Sequence, residues 1–454
     1  MDIQALLIRN FFYPLWMIRE GNRKVLRYLD CFRYIDQLTP SDLERRQREK
    51  LKHMLKHAYD NTDYYRQLFD QVAFSPSRMK EQKEIEKIPL LTKEIVKRNF
   101  EAMTARNMLK SHVTEASTGG STGIPMRFLR DRQSLFLRRG QELYFDRWMG
   151  YKLGEKLAYF VSGSHYDGKI ARLKARIKNA TCERMLSFDP HDITDAYLKD
   201  FLHAYVAFRP AMIKCFPNAL TPFANFVTRT GVSLPPVRVI SCTGENLYVQ
   251  QRERFEEIFG GEVYEKVGTR ESGVIACECK EHRGLHVFTE GVYVEILDDK
   301  GQRVGPGEIG RVVITDLFNR AMPLIRYEIG DMAVAGDGRL CGCGSPLPLI
   351  EKLLGRDRDI VIDSYGNPKP GYLFVEAIKN VNLAAQIQVV QENAKLLVVR
   401  IAKQGVEKVN PDTLRVAFQK IVGPHIEIQF EYPSRVDKDP SGKFRYVHSK
   451  VRYW

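Results

Sequence analysis

The stretch Ser117-Thr-Gly-Gly-Ser-Thr-Gly-Ile-Pro125 places three glycines and four hydroxyl side chains within nine residues. Glycines let backbone N–H groups turn toward a polyanion, and the hydroxyls can donate hydrogen bonds to its oxygen atoms. The stretch lacks the Gly-Lys-Ser/Thr ending of a Walker A loop, and flexible linkers have the same composition. Because an apparent strand, Met126-Arg-Phe-Leu129, follows at once, we expect the stretch to be a phosphate-binding loop in a β-hairpin.

The chain around this loop alternates β-rich runs with amphipathic helices from residue 111 to about 290, which is typical of an α/β fold. The predicted strands are 157–161, 211–215, 237–242 and 262–267, and the predicted helices are 195–208 and 250–259. Residues 1–110 have a helical pattern, whereas 287–350 have antiparallel strands joined by Gly- and Pro-containing turns.

The final hundred residues have the strand and helix pattern of a small α+β domain, with a boundary near 354–358. The sequence therefore predicts an α/β fold with two domains. Residues 1–354 form a large domain that contains α/β subdomains and a β-rich subdomain. Residues 355–454 form a small C-terminal domain.

The excess of basic residues indicates which classes of partner the protein would attract. Lys and Arg outnumber Asp and Glu by 70 to 56, a formal net charge of +14. Such a surface attracts nucleotides, acyl carriers, anionic polysaccharides or lipid headgroups. No DNA- or RNA-binding motif accompanies the charge, so no specific nucleic-acid partner is expected. Eight cysteines without a secretory signal favour a reducing, cytoplasmic location.

The first 18 residues are apolar but are interrupted by Asp2, Arg9 and Pro14, and they fall short of a membrane span of about 20 residues. An amphipathic helix is expected here. It either packs on the body of the protein or contacts a membrane surface.

Five further motifs follow the glycine-rich loop in a fixed order: Thr243-Gly-Glu245, Gly268-Thr-Arg-Glu271-Ser-Gly273, Arg326-Tyr-Glu-Ile-Gly-Asp331, Gly355-Arg-Asp-Arg-Asp359 and Ser441-Gly-Lys443. With this order the sequence resembles the adenylate-forming superfamily of acyl-CoA synthetases and adenylation domains. In particular it resembles the phenylacetate–CoA ligases and their capsular-polysaccharide-associated (CapK-type) relatives, from about residue 85 to the C-terminus.

The resemblance implies an AMP-forming ligase, with ATP and Mg²⁺ as cofactors. Residues 1–354 would bind ATP and the acid, and residues 355–454 would be a mobile lid. Glu271 would ligate Mg²⁺, and Asp331 would accept hydrogen bonds from the ribose, with Arg356 nearby. The pyrophosphate end of ATP would lie on the loop residues Ser117, Thr118, Gly119, Gly120, Ser121, Thr122 and Gly123. The other nucleotide-site residues would be Gly244, Glu245, Gly268, Thr269 and Arg270, and candidate walls of the acid pocket are Phe160, Ser162, Phe216 and Cys242.

The resemblance also implies that Lys443 is catalytic, neutralising charge between the attacking carboxylate and the nucleotide after the lid rotates about residues 356–359. The sequence departs from the family in three places. Arg358 replaces one residue of an acidic pair at the pivot, and Met126 and Arg127 stand where the loop usually closes with lysine. Val267 precedes Gly268 in place of tyrosine, and Tyr264 lies three residues earlier.

Two Cys-x-Cys pairs with nearby histidines predict a metal site, because thiolate and imidazole together suit tetrahedral zinc. The predicted ligands of a structural Zn²⁺ are Cys279, His286, Cys341 and Cys343, with Cys277 and His282 as possible substitutes. The alternative is a set of buried free thiols in a reducing cell.

The predicted reaction is acid plus ATP to acyl-AMP and pyrophosphate, followed by acyl transfer. Aromatic acids are the first candidates for the substrate and amino acids the second. The acceptor is CoA, a separate acyl-carrier protein, or an amine or sugar hydroxyl, as in polysaccharide or secondary-metabolite biosynthesis. The alternative is an inactive nucleotide-binding or scaffold protein on the same fold.

Overall fold

The computed structural model describes residues 2–19, 32–118, 125–161, 169–190, 193–379, 387–402, 410–436 and 446–451. Side-chain caps begin most of the helices: the hydroxyl of Thr39 accepts from Asp42 N, and Thr62, Thr92, Asp131 and Thr194 act in the same way. The α-helices are α1 Ile3–Leu7, α2 Tyr13–Arg19, α3 Pro40–Asn61, α4 Asp63–Gln71, α5 Lys93–Arg98, α6 Phe100–Met103, α7 Arg132–Trp148, α8 Lys169–Lys178, α9 Asp195–Phe208, α10 Pro217–Thr230, α11 Val249–Phe259, α12 Gly371–Lys379 and α13 Pro411–Val422.

The strands form a β-hairpin, one large sheet and two small sheets. They are β1 Val113–Ser117, β2 Arg127–Asp131, β3 Leu157–Phe160, β4 Met185–Ser187, β5 Met212–Cys215, β6 Val239–Thr243, β7 Glu262–Thr269, β8 Gly273–Glu278, β9 Leu285–Val287, β10 Val292–Leu297, β11 Ile309–Asp316, β12 Tyr327–Ala335, β13 Leu349–Arg356, β14 Ile360–Ile362, β15 Pro368–Pro370, β16 Ile387–Asn393, β17 Leu396–Ile401, β18 Glu427–Glu431 and β19 Val447–Ser449.

The large sheet has eleven strands in the order β10-β11-β12-β13-β9-β8-β7-β6-β5-β3-β4. Strands β4, β3, β5, β6 and β7 are parallel, and every pairing from β7 to β10 is antiparallel. The parallel part follows from its helical crossovers, which cover both faces and leave β5 with four buried residues. The predicted β-rich subdomain therefore continues the α/β sheet without a break.

Three apolar clusters hold the large domain together. Phe160, Phe188 and Phe223 pack with α9, α10 and α11 on one face of the parallel strands, and Tyr144 and Phe145 of α7 pack on the other. Helices α3 and α4 bury Leu51, Leu55 and Phe69 against the antiparallel strands. The core thus runs along the whole sheet, with the helical N-terminal region covering its antiparallel half.

The C-terminal residues have a core of their own, in which α12 and α13 pack on the four-stranded sheet β18-β17-β16-β19. β13 ends at Arg356 and a single 3₁₀ turn, Asp357–Asp359, leads into β14. The predicted α/β fold class is confirmed, and α9 coincides with its predicted bounds. The domain limits at 354 and 355, and the mobility of the lid, stay predictions.

Candidate active site

The glycine-rich loop rises from the end of the β1–β2 hairpin, in which Ser117 pairs with Arg127. Thr118 N donates to Met126 O at 2.9 Å, and Met126 N donates to Thr118 Oγ1 at 3.1 Å. These two bonds close the base of the loop. The predicted residues Gly119, Gly120, Ser121, Thr122 and Gly123 lie outside the described residues.

The turn between β7 and β8 lies beside that loop. The Arg270 guanidinium donates to Ser117 O at 3.2 Å, and Ser272 N donates to Thr269 Oγ1 at 3.1 Å inside the turn. A Cβ on Gly268 would stand 2.5 Å from Gly273 O, so the close approach of the two strands requires glycine there. Arg270 thereby fixes the turn to the strand that enters the loop.

Glu271 projects from this turn into a buried position, with 5% of its surface exposed. The Tyr327 hydroxyl, on β12, donates to Glu271 Oε1 at 3.0 Å. Burial, reinforced by the Glu271 charge, raises the pKa of Tyr327, so the phenol stays protonated and remains a donor. This hydrogen bond holds the carboxylate through one of its two oxygens.

Asp331 lies further along β12 and pairs with Arg356 of β13, Nε to Oδ1 at 2.9 Å. The guanidinium also donates to Ile329 O at 2.7 Å. Burial raises the pKa of Asp331, and the charges of Arg356 and Lys93 oppose that shift. Arg356 therefore orients the buried side chain of Asp331.

Lys93 is a member of this site that the sequence reasoning missed. It is the first residue of α5, which Thr92 caps. Two backbone hydrogen bonds hold this helix start against β12: Leu91 N donates to Arg326 O at 2.8 Å, and Glu328 N donates to Leu91 O at 2.9 Å. Burial and the Arg356 charge lower the pKa of Lys93, while Glu271 and Asp331 raise it. The predicted helix start at Thr92 located Lys93 on the chain, but only the Leu91–β12 pairing brings it to the carboxylates.

Gly244 and Glu245 follow β6, at the carboxyl end of the parallel strands. Gly244 has φ +74°, and a Cβ there would stand 2.5 Å from the Phe216 ring. Glu245 Oε2 accepts from Asn218 N at 3.1 Å, in the first turn of α10. Phe160 and Cys242 are fully buried in the core below this edge, and Ser162 lies outside the described residues.

Two residues near the departures from the family pattern, Arg127 and Tyr264, have other partners. Arg127 donates to Glu115 across the hairpin, Nη2 to Oε2 at 2.8 Å. Tyr264 donates to Glu262 at 2.6 Å and packs 5.3 Å from the His282 ring, on the cysteine-rich side of the sheet. It therefore does not substitute for the missing tyrosine at position 267.

Lys443 lies outside the described residues, and the hinge predicted at 356–359 is described as the end of β13 and the following 3₁₀ turn. The C-terminal core and the end of β13 both contact the loop after Glu245. The Tyr248 and Tyr446 rings meet edge to face at 6.1 Å, and Gly355, with φ +97°, leaves no room for a Cβ beside Asn246.

The four predicted zinc ligands come together. One ligand atom from each of Cys279, His286, Cys341 and Cys343 lies within 4.8 Å of the others. Cys279 Sγ and Cys341 Sγ are 3.6 Å apart, and Cys343 Sγ is 3.5 Å from His286 Nε2. Tetrahedral zinc with its usual bond lengths would separate two sulfurs by about 3.8 Å and sulfur from nitrogen by about 3.6 Å.

The surroundings of the cluster also suit a cation. His286 Nδ1 lies 3.1 Å from Leu347 O, which fixes the tautomer that leaves Nε2 free to ligate. Glu281 N and Ser345 N donate to the sulfurs of Cys279 and Cys343, both at 3.4 Å. Burial raises the pKa of Cys279 to about 12, so its thiolate form requires a nearby positive charge.

The two substitute ligands lie elsewhere. Cys277 is buried in the aromatic cluster of Tyr144 and Phe145. His282 has φ +47° and contacts Glu262 at 3.1 Å and Glu278 at 3.4 Å. Neither belongs to the group of four.

Comparison with known proteins agrees with this architecture. Residues 370–450 match the family model described as CapK C-terminal domain. A phenylacetate-coenzyme A ligase of Pseudomonas putida is 22% identical over 368 residues, which cover 76% of this chain and 78% of that protein. Protein CapK of Staphylococcus aureus is 19% identical over 431 residues, 91% of this chain and 90% of that protein.

A solved structure of 2-hydroxyisobutyryl-CoA ligase, in the postadenylation state with an acyl-AMP, superimposes with a TM-score of 0.71. It is 17% identical, and the match covers 92% of this chain and 91% of that one. At this identity the superposition shows a shared fold. The chain therefore has the fold of adenylate-forming ligases, and its sequence is similar to the phenylacetate-coenzyme A ligases and to CapK.

Proposed function

We propose that the protein activates a carboxylic acid with ATP and Mg²⁺, releasing pyrophosphate and forming an acyl-AMP, and then transfers the acyl group to an acceptor. The observation that carries this proposal is the convergence of three parts of the chain on one site. The turn that bears Glu271, the base of the glycine-rich loop and the Asp331–Arg356 pair approach one another through Tyr327, Lys93 and Arg270.

Each group suits one part of the reaction. Glu271 would ligate Mg²⁺, which prefers one or two carboxylates together with substrate phosphates. Asp331 would accept hydrogen bonds from the ribose hydroxyls. The loop 117–123 and Arg270 would hold the pyrophosphate end. Lys93, which is half-buried and interacts electrostatically with both carboxylates, would neutralise charge on the phosphates or on the acid.

When the acid oxygen attacks the α-phosphorus, a new P–O bond forms and the bond to pyrophosphate breaks. Negative charge accumulates on the phosphate oxygens, where preorganised donors and a cation are most effective. Lys443 would add its charge at this point when the C-terminal domain closes.

CoA is the first candidate for the acceptor, because the relatives named above include CoA ligases. A separate acyl-carrier protein, or an amine or hydroxyl of a sugar, is the second, supported by the match to CapK. The net charge of +14 suits any of these anionic partners. Aromatic acids and then amino acids are the proposed substrates, and the cytoplasm is the proposed location.

A structural Zn²⁺ would be held by Cys279, His286, Cys341 and Cys343. Four protein ligands fill a tetrahedral site and leave no open position for a substrate. The ion would tie the chain after β8 and the start of β9 to the loop before β13, which strengthens the antiparallel part of the sheet.

The test is ATP–pyrophosphate exchange with a panel of aromatic acids and amino acids. We expect exchange with at least one acid and a fall of about 10²–10³ in Glu271→Gln. Product assays with that acid would then identify the acceptor. If ATP binds but no acid on a broad panel supports exchange, the inactive nucleotide-binding or scaffold role replaces this proposal.

A further inference from the structure

Two segments outside the active site share an unusual surface. Seventeen large apolar side chains are exposed in the described part of the chain, and eight of them lie in residues 3–18 and 173–177. These eight, which we call the apolar patch, are 37–68% exposed: Ile3, Leu7, Phe11, Phe12, Leu15, Ile18, Leu173 and Ile177. Single exposed apolar residues are ordinary, but such a concentration indicates a binding surface.

The patch has the geometry of an amphipathic helix lying on a surface. A π-helical segment, Ile8–Phe12, joins α1 to α2 and makes residues 3–19 one helical run. Ile3, Leu7, Phe11, Leu15 and Ile18 recur every three or four residues, on one side of this run. The opposite side buries Ile8 and Tyr13 against Leu143 and Cys182. The N-terminal segment is therefore already packed on the body of the protein, and its outer face remains apolar.

Direct contacts join the two segments into one surface. Arg184 Nη1 lies 2.6 Å from Asp2 Oδ2, and Gln4 Nε2 donates to Ala180 O at 3.4 Å. Ala180 belongs to the turn that continues α8, where Leu173 and Ile177 face solvent one helical turn apart. The two exposed apolar stretches therefore lie on neighbouring, directly bonded segments.

The charged residues around the apolar patch indicate what kind of partner it would bind. α8 contains five basic residues and no acidic one, and Lys174 and Arg176 are exposed beside its apolar side chains. Asp2, the one acidic residue among residues 2–19, is already paired with Arg184. An apolar face bordered by basic residues matches a bilayer surface with anionic headgroups, where the apolar side chains enter the acyl boundary.

We infer that the helical run 3–19 and α8 together form a peripheral docking surface for anionic membranes. No helix within the described ranges is long and apolar enough to cross a bilayer, so the contact is with one leaflet. This inference stands independently of the proposed function, because no residue of the patch belongs to the active site.

The test is sedimentation of the full-length protein with vesicles of phosphatidylcholine alone or mixed with phosphatidylglycerol. We expect binding to the mixed vesicles, weakened by salt, and at least about tenfold weaker binding for Leu7→Ser/Phe11→Ser. Lys174→Glu/Arg176→Glu should weaken it by about tenfold or more. The matched control Leu109→Ser/Leu340→Ser removes two side chains that are 66% and 62% exposed outside the patch, and should bind normally.

Thermal melts of all variants should coincide, which separates loss of binding from loss of fold. Absence of binding to mixed vesicles, equal binding to both vesicle types, or full binding by Leu7→Ser/Phe11→Ser would overturn the inference. Light scattering would reveal dimers. If the protein does not bind vesicles but forms a dimer that Leu7→Ser/Phe11→Ser disrupts, the surface binds a second copy of the chain and the inference is overturned.

Discussion

At the scale of single residues, Glu271 combines a buried carboxylate with one fixed hydrogen bond from Tyr327. Glu271→Gln keeps the size of the side chain and an acceptor for that bond but removes the negative charge. We expect ATP–pyrophosphate exchange to fall by about 10²–10³, with little change in the melting temperature. Unchanged exchange would remove Glu271 from the proposed chemistry.

The companion change Tyr327→Phe separates orientation from charge. It deletes a hydroxyl 3.0 Å from Glu271 Oε1 and leaves the carboxylate in place. Because one hydrogen bond contributes about 0.5–1.5 kcal/mol, exchange should fall by roughly tenfold or less. The Mg²⁺ concentration for half-maximal exchange should rise at the same time, and a loss as large as that of Glu271→Gln would contradict a purely orienting role.

The same scale shows what the sequence left undetermined. The grouping of Cys279, His286, Cys341 and Cys343 could be predicted because the spacing of Cys-x-Cys pairs is typical of metal sites. Lys93 could not, because its place beside Glu271 and Asp331 depends on Leu91 pairing with β12, more than two hundred residues away. Tyr327 was overlooked for a similar reason: it is a buried strand tyrosine until the β7–β8 turn presents Glu271 to it.

At the scale of elements, the cysteine-rich cluster should decide how firmly β9 and β13 stay paired. We expect purified protein to contain about one zinc per chain and to lose it in Cys341→Ser and His286→Ala. The free energy of unfolding should fall by several kcal/mol, because metal binding contributes directly to folding. Metal analysis and thermal melts provide the measurements.

Cys277→Ser is the control for this set, since Cys277 lies outside the cluster and its variant should retain stoichiometric zinc. Loss of zinc in that variant, or retention of zinc in His286→Ala, would contradict the ligand assignment. Removal of zinc by a chelator should lower the melting temperature of the wild type, with little effect on His286→Ala.

The end of β13 allows a second test at this scale. Gly355→Ala introduces a Cβ at φ +97° that overlaps the Asn246 side chain, so we expect a loss of about 1–3 kcal/mol in thermal or urea unfolding. Gly366→Ala is the matched control, because it has φ +84° but open space around it. A larger effect at 366 than at 355 would show that overlap with Asn246 is unimportant.

At the scale of the whole molecule, the proposed reaction depends on the C-terminal domain delivering Lys443. Lys443→Ala should reduce exchange by about 10²–10³ while ATP affinity, measured by calorimetry, stays close to that of the wild type. Lys395→Ala, an exposed lysine of the same domain, is the control and should remain active. Full activity of Lys443→Ala would refute the role of that lysine in acid activation.

The architecture was largely predictable at this scale, because alternating strands and helices with ordered motifs constrain the fold. α9 was predicted at its observed ends, while β5 and β6 begin one and two residues later than expected. Periodicity could not reveal that the β-rich segment joins the parallel strands in one sheet. That union depends on β9, three residues long, bridging β8 and β13, and so short a strand carries almost no pattern.

One covalent strand links the two ends of the proposed nucleotide site. Tyr327, which anchors Glu271, and Asp331 are four residues apart on β12, a span of at most about 14 Å. If their proposed roles hold, β12 fixes the distance between the group that binds the ribose and the group that binds the Mg²⁺ on the phosphates. The site would then discriminate ATP from shorter nucleotides by length, and a one-residue deletion in β12 would blunt that selection.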